Sequence, residues 1–199
     1  MGPEDGVSRR ELLGGSVSAA LAAGAPAWAP AASASDIDAP PSASTHDVTL
    51  RVNGVDRALK VESRTTLAEA LRGALGLTGT KIACNRGACS ACTVWLDGTP
   101  VCSCMIFAVE VGTRAVTTIE GLAAGGVLHP VQEAFIEHDA MQCGFCTPGM
   151  AMSAAALLER TRDPTVEDVE RAIAGHVCRC GSYPHVVAAT LAAAHARKG

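Results

Sequence analysis

Residues 84–92 read Cys-Asn-Arg-Gly-Ala-Cys-Ser-Ala-Cys, and a further cysteine follows at position 104. Three thiols separated by four and then two residues, with no hydrophobic period between them, describe a loop that gathers sulfur rather than a helix or strand. Gly87, Ala88, Ser90 and Ala91 are small enough for the backbone to wrap closely and to aim its N–H groups inward, which anionic sulfur requires. A zinc site would more usually show shorter spacing and a flanking histidine pair. Cysteines that only fill a core have no reason to fall at these intervals.

The C-x4-C-x2-C…C spacing is that of the plant-type [2Fe–2S] loop, so Cys84, Cys89, Cys92 and Cys104 are predicted to hold one such cluster. A second group follows as Cys143-Gly-Phe-Cys146 and Cys178-Arg-Cys180. Taken alone it fits a four-thiolate zinc site or a redox-active C-x-x-C as well as a cluster. Its placement favours a cluster. One pair precedes a predicted helix starting near Thr147 and the other follows the end of another, and the positive end of a helix suits a negatively charged group. The ninth cysteine, Cys102, alternates with Cys104 along what reads as one strand, so it is expected to face away as a small buried hydrophobe.

Around these groups the hydrophobic pattern changes character. Val48, Leu50 and Val52, the Asn53-Gly54 turn, then Leu59 and Val61 predict a hairpin. Thr66 and Glu69 form a capping-box pair ahead of an apolar helix face ending at Gly76. Thr93–Leu96 reads as a strand, Asp97-Gly98 as a turn, and residues 116–119 as a closing strand. From Leu128 the period is helical: a helix opened by Pro130 to about His138, another over residues 150–160, a third capped by Thr165 and Asp168 and reaching about His176, and a fourth from Pro184 toward Arg197. Strands with one helix, then four short helices, predict an α+β chain of two compact parts joined by the Gly-rich stretch 121–126.

Composition narrows the partners. A formal charge of −4, with 16 Lys and Arg scattered along 199 residues, leaves no basic footprint for nucleic acid. At the N-terminus, Ser8-Arg9-Arg10-Glu11-Leu12-Leu13 precedes a weakly apolar stretch ending in small residues and prolines, the layout of a twin-arginine export signal over residues 1–34 with a flexible leader at 35–46. Gly- and Ala-diluted, that stretch falls short of about 20 apolar residues, so no stable membrane anchor is expected and the predicted location is the periplasm. A chain that folds before export can give its thiolates to metal first.

The segments Leu75-Gly-Leu-Thr-Gly-Thr-Lys81, residues 84–94, His129-Pro-Val-Gln132, Met141-Gln-Cys-Gly-Phe-Cys-Thr-Pro-Gly-Met150 and Cys178-Arg-Cys180 together resemble the iron–sulfur small subunit of the xanthine dehydrogenase and aldehyde oxidoreductase enzymes, the molybdenum hydroxylases. The resemblance runs from about Val48 to the end and is most specific over Gln142–Gly149. With the twin-arginine leader it looks closest to exported bacterial aldehyde oxidoreductase subunits. It implies a β-grasp plant-type [2Fe–2S] ferredoxin domain at 47–122 and an all-α four-helix-bundle [2Fe–2S] domain at 127–199. The bundle cluster, on Cys143, Cys146, Cys178 and Cys180, would lie beside a molybdopterin cytosine dinucleotide held mainly by a separate molybdenum-binding large subunit. Gln142 and the backbone around Cys180 would touch the pterin, and the ferredoxin cluster would face an FAD subunit or another acceptor.

What this implies for function is electron relay during oxidative hydroxylation of an aldehyde or N-heterocycle, with no catalytic residue on this chain. Glu133, Glu137 and His138 share one helix and read as a solvated face. The rival readings are a free-standing two-cluster carrier and a zinc-binding interaction module. Three departures from the family pattern stand out: Ser90 where Gly usually follows the second cysteine, His176 where Asn is common, and Gly181-Ser182-Tyr183 in place of Thr-Gly-Tyr. His176 is expected to be structural.

Overall fold

Alternation along β1 (Thr45–Val52) buries Leu50 and Val52, and β2 (Val55–Glu62) returns antiparallel to it, Thr45 opposite Glu62. Asn53 (φ +51°) and Gly54 (φ +79°) both take the left-handed region, the hairpin turn that matches strand twist. The computed structural model describes residues 44–197. The expected signal, 1–34, lies outside the described residues, as does most of the leader. β1 begins at Thr45, just inside the segment read as leader, because Thr45 and His46 still have partners on β2.

The helix that crosses the sheet opens as the sequence predicts. Thr66 and Glu69 cap each other, Thr66 Oγ1 accepting from the Glu69 N–H at 3.2 Å and the Glu69 carboxylate accepting from the Thr66 N–H at 2.8 Å. After one α-helical turn (α1, Leu67–Glu69) the chain widens into a π turn over Ala70–Ala74, with the Leu75 N–H reaching the Ala70 carbonyl. Leu67 and Leu71 are fully buried beneath it, packed with Val61, Val94, Leu96 and Val116.

Three further strands complete a mixed five-stranded sheet in the order β2-β1-β5-β3-β4: β3 (Thr93–Leu96), β4 (Thr99–Cys102) and β5 (Ala115–Thr117). Only β1 and β5 run parallel. The closing strand stops short of Ile119 because Ile119–Gly121 coils into a 3-10 turn against the Asn53 side chain. The expected alternation of Cys102 and Cys104 along one strand fails. β4 ends at Cys102, and Ser103–Met105 is a 3-10 turn. Buried Ser103 causes the bend by donating to the Cys92 carbonyl from both its hydroxyl, at 2.7 Å, and its N–H, at 3.3 Å.

The helical part consists of α2 (Pro130–Glu137), α3 (Thr147–Arg160), α4 (Val166–Ile173) and α5 (Tyr183–Ala196). α3 begins at Thr147, directly after the cysteine pair as its placement there predicts and three residues before the apolar period, with Pro148 in its first turn, where the missing N–H costs nothing. α4 ends at Ile173 instead of His176, since Ala174–Gly175 lead directly into the second cysteine loop. The interior of this part is built from Ala151, Ala154, Ala155, Ala189, Ala193 and Ala194 around Phe135, Met150 and Leu158. Small side chains let helices of only two to four turns approach closely enough to shut out water. A mixed sheet gripping one helix, followed by a four-helix bundle, is the architecture expected of a ferredoxin-like domain and a helical one.

The two parts meet along α3. Trp95 of β3 donates its indole N–H to the Met152 carbonyl at 2.9 Å. Gly149 is needed at this seam: a Cβ there would lie 2.5 Å from the Ser90 carbonyl and 3.2 Å from the His176 ring. Gly149→Ala should therefore cost about 1–3 kcal/mol, as overpacking of rigid backbone does, while Gly73→Ala, which meets nothing within 4 Å, should be neutral or mildly stabilising. Urea unfolding of the two variants checks this, and equal midpoints would contradict the close-packed seam.

Candidate metal centres

The first loop is tied down before any metal is considered. Arg72 reaches from the π turn to the carbonyls of Thr78 and Thr80, both at 2.7 Å. Glu120 accepts from the Gly79 N–H at 2.8 Å. Glu69, the helix-capping carboxylate, also accepts a hydrogen bond from Asn85 and is held below its ordinary pKa, mostly by the Thr66 N–H. Within the loop so fixed, the N–H groups of Arg86 and Ala88 point at Cys84 Sγ (3.5 and 3.3 Å) and that of Gly87 at Cys104 Sγ (3.3 Å). Ser90 takes φ +54°, so the left-handed turn that Gly usually supplies is made here by serine.

These contacts set the thiols apart electrically. Hydrogen bonds from the Arg86 N–H, the Cys89 thiol and the Ala88 N–H hold Cys84 down to about 7. Burial pushes Cys92 up. In the second loop burial likewise pushes Cys146 up to about 11. At Cys178 burial is outweighed by the Ser182 hydroxyl, the Ser182 N–H and the Cys146 thiol, which bring the group down to about 6. The Ser182 hydroxyl lies 3.2 Å from Cys178 Sγ. Tyr183 pins the same loop, accepting from the Cys178 N–H and donating to the His176 carbonyl, each at 2.8 Å.

The eight cysteines singled out from the sequence fall into two groups, Cys84, Cys89 and Cys92 with Cys104 of the 3-10 turn, and Cys143 and Cys146 before α3 with Cys178 and Cys180 between α4 and α5, and within each group they pair. Cys84 lies against Cys89 and Cys92 against Cys104; Cys143 lies against Cys180 and Cys146 against Cys178. Among the described residues no three Cys, His, Asp or Glu side chains converge on one ion position. Two neighbouring thiol pairs are what a two-iron centre takes, two sulfurs per iron. With N–H and O–H donors aimed at the sulfurs, the residues present fit a pair of [2Fe–2S] clusters.

The loops touch through backbone. The Val177 N–H, one residue before Cys178, donates to the carbonyl of Cys89 at 3.2 Å. His176 is buried beside this bond, its Nε2 2.8 Å from the Ser153 hydroxyl and its Nδ1 without a partner, and burial lowers its pKa to about 4, so it packs as a neutral ring. Gln142 is exposed next to Cys143, flanked by exposed Met141 and Phe145. The sequence reading had not marked Ser153, Ser182 or Ser103 as parts of the site. Serine on its own carries no spacing signal, and only the folded loops show what each hydroxyl meets.

Comparison with known proteins agrees with this geometry. Residues 50–116 match the 2Fe-2S iron-sulfur cluster binding domain family, and residues 118–191 match the [2Fe-2S] binding domain family. The chain is 46% identical to the nicotine 6-hydroxylase small subunit of Paenarthrobacter nicotinovorans over 73% of its own length and 87% of the relative's. It is 38% identical to the aldehyde oxidoreductase iron-sulfur-binding subunit PaoA of Escherichia coli K12, over 92% of this chain and 86% of that one. Among solved structures, quinoline 2-oxidoreductase from Pseudomonas putida 86 superposes with a TM-score of 0.74 at 40% identity, covering 78% of this chain and 98% of that chain. The aldehyde oxidoreductase of Desulfovibrio desulfuricans gives 0.73 at 44% identity, over 77% of this chain but 17% of that longer chain.

The thiol environments order the reactivity of the metal-free protein. At pH 7 Cys178, with a pKa of about 6, is mostly thiolate, Cys84 about half, and Cys146, at about 11, almost wholly protonated. Of these three, limited iodoacetamide labelling followed by peptide mass spectrometry should find Cys178 modified before Cys84 and Cys84 before Cys146. Lowering the pH to 5 should suppress labelling of Cys178 and Cys84, because both lose thiolate as pH falls through their pKa values. Equal labelling of Cys146 and Cys178 at pH 7 would contradict the assignment.

Proposed function

Since the chain belongs to the iron–sulfur subunits of the molybdenum hydroxylase family, as an electron-transfer subunit of an oxidoreductase complex with two [2Fe–2S] clusters, we propose that Cys84, Cys89, Cys92 and Cys104 hold one cluster and Cys143, Cys146, Cys178 and Cys180 the other. Each cluster, when bound, supplies a one-electron carrier. The chain's own part is to hold the two close together, exclude water between them and connect their ligands.

The observation that carries this reading is the hydrogen bond from the Val177 N–H to the Cys89 carbonyl. It joins the backbone of a ligand in one loop to the residue preceding a ligand in the other, with Gly149, Ser90 and His176 packed around it. A free-standing carrier with independent domains has no need of such a bond.

The partner is a molybdenum-binding large subunit, as the family implies, and we place its contact at the bundle loop. Exposed Leu128, Ile136 and Met141 line a cleft of about 290 Å³ that Gly144 and Thr147, on either side of Cys146, also border. A molybdopterin cytosine dinucleotide held by that subunit would meet Gln142 there. Electrons would enter at the bundle cluster and leave from the ferredoxin cluster toward an FAD subunit or another acceptor. The substrate class is an aldehyde or N-heterocycle, oxidised in the partner.

The N-terminal segment is read as a twin-arginine signal that sends the chain to the periplasm after the clusters are inserted. The likeness to PaoA supports a shared N-terminal region, since it covers a larger share of this chain than residues 44–197 make up. No helix among the described residues is long and apolar enough to cross a membrane.

Two measurements test the reading. Electron paramagnetic resonance of the dithionite-reduced protein, co-expressed with its genomic neighbours, should show two distinct [2Fe–2S] signals at about four irons per chain, with molybdenum co-purifying. One signal accompanied by zinc would overturn the assignment of the second site. Replacing Arg9 and Arg10 together by Lys should hold the protein in the cytoplasm of cells that otherwise export it, and an unchanged periplasmic fraction would refute the export reading.

A further inference from the structure

Cys102 is the one cysteine that neither loop uses. β4 pairs it with Thr93, the residue after Cys92, and it is half-buried in a small cluster with Ala68, Cys92, Cys104 and Ile82. Its Sγ lies 3.7 Å from the Ser90 hydroxyl, and on another side it packs against the hydrophobic cluster that holds Cys92. Ser90 faces it only because the chain holds that residue at φ +54°, a position at which glycine would offer no hydroxyl at all.

Resting on the reading of Cys92 as a cluster ligand, we propose that Cys102 is a positioning residue for the ferredoxin centre, donating its S–H to the Cys92 sulfur while the Ser90 O–H donates to Cys102. Once Cys92 is a thiolate bound to iron it is the best acceptor within reach of that single proton, because hydrogen bonds to charged sulfur outcompete those to a neutral hydroxyl. The Ser90 hydroxyl then donates to the sulfur of Cys102, and each bond polarises the next. A centre with four thiolates gains negative charge on reduction, so a donor at a ligand sulfur favours the reduced state and raises the potential. Packing alone would need neither the hydroxyl nor the left-handed serine, since a valine or alanine fills such a space.

The test is a redox titration followed by electron paramagnetic resonance on the assembled complex, reading both [2Fe–2S] signals in each variant. Cys102→Ala and Cys102→Val, which remove the donor with and without loss of volume, should each make the ferredoxin centre about tenfold harder to reduce, a fall of about 59 mV for one electron. Cys102→Ser retains a donor and should recover at least half of that shift. Ser90→Gly should shift the same centre in the same direction by less. The bundle centre should not move in any of them and so serves as the internal reference. An unchanged ferredoxin potential in Cys102→Val, or equal shifts in Cys102→Val and Cys102→Ser, would reduce Cys102 to a packing residue. A wild-type complex with only one [2Fe–2S] signal would instead overturn the reading of the two sites, and this proposal with it.

Discussion

A single backbone hydrogen bond, from the Val177 N–H to the Cys89 carbonyl, is the contact on which the rest of the molecule converges. It exists only if two loops from unlike structural classes arrive within 3.2 Å of each other. The sheet brings one, through β3 and the capped helix α1, and the bundle brings the other, between α4 and α5. Electron transfer between fixed carriers depends on such closeness. The two halves of the fold are therefore not independent modules that happen to be linked; the indole of Trp95 on the Met152 carbonyl fastens them a second time.

Closeness of this kind constrains side-chain size on both sides of the seam. Gly149 and Gly175 face Ser90, and neither leaves room for a Cβ without pressing on it. Small side chains inside the bundle serve a related end, since the alanines of α3 and α5 let its short helices pack closely on one another. Larger residues would supply more apolar burial per helix but would push those helices apart. The apolar bulk of the bundle is supplied by Phe135, Met150 and Leu158, buried among those alanines.

Where this chain departs from the family pattern, the departures are neighbours in space. Ser90 and His176 both pack on Gly149, one on each side of the inter-loop bond. His176 fills its place as a neutral ring pinned to Ser153, and the loop that follows it is held by the Tyr183 hydroxyl. Gly181-Ser182-Tyr183 keeps the tyrosine that makes this clamp and adds, through Ser182, a hydroxyl on Cys178. Changes that look unrelated along the chain thus alter a single region around the thiols.

The sequence by itself determined the parts whose physics is local. Cysteine spacing marked both loops, because loop length limits where neighbouring thiols can lie. Alternation found the hairpin, and side chains that cap their own helix located α1 and α4. The α+β order followed from the change of period near Leu128. Only the tertiary structure decided the rest. Cys104 leaves the strand because of a buried serine's bonds to a carbonyl eleven residues back, and α4 stops early because its continuation turns into the second cysteine loop, where the Val177 N–H goes to the Cys89 carbonyl. Which thiol faces which, where Ser153, Ser182 and Ser90 place their hydroxyls, and that Val177 meets Cys89 are long-range facts. They arise from packing two cores against one another, and no periodicity along the chain encodes a contact between residues that distant.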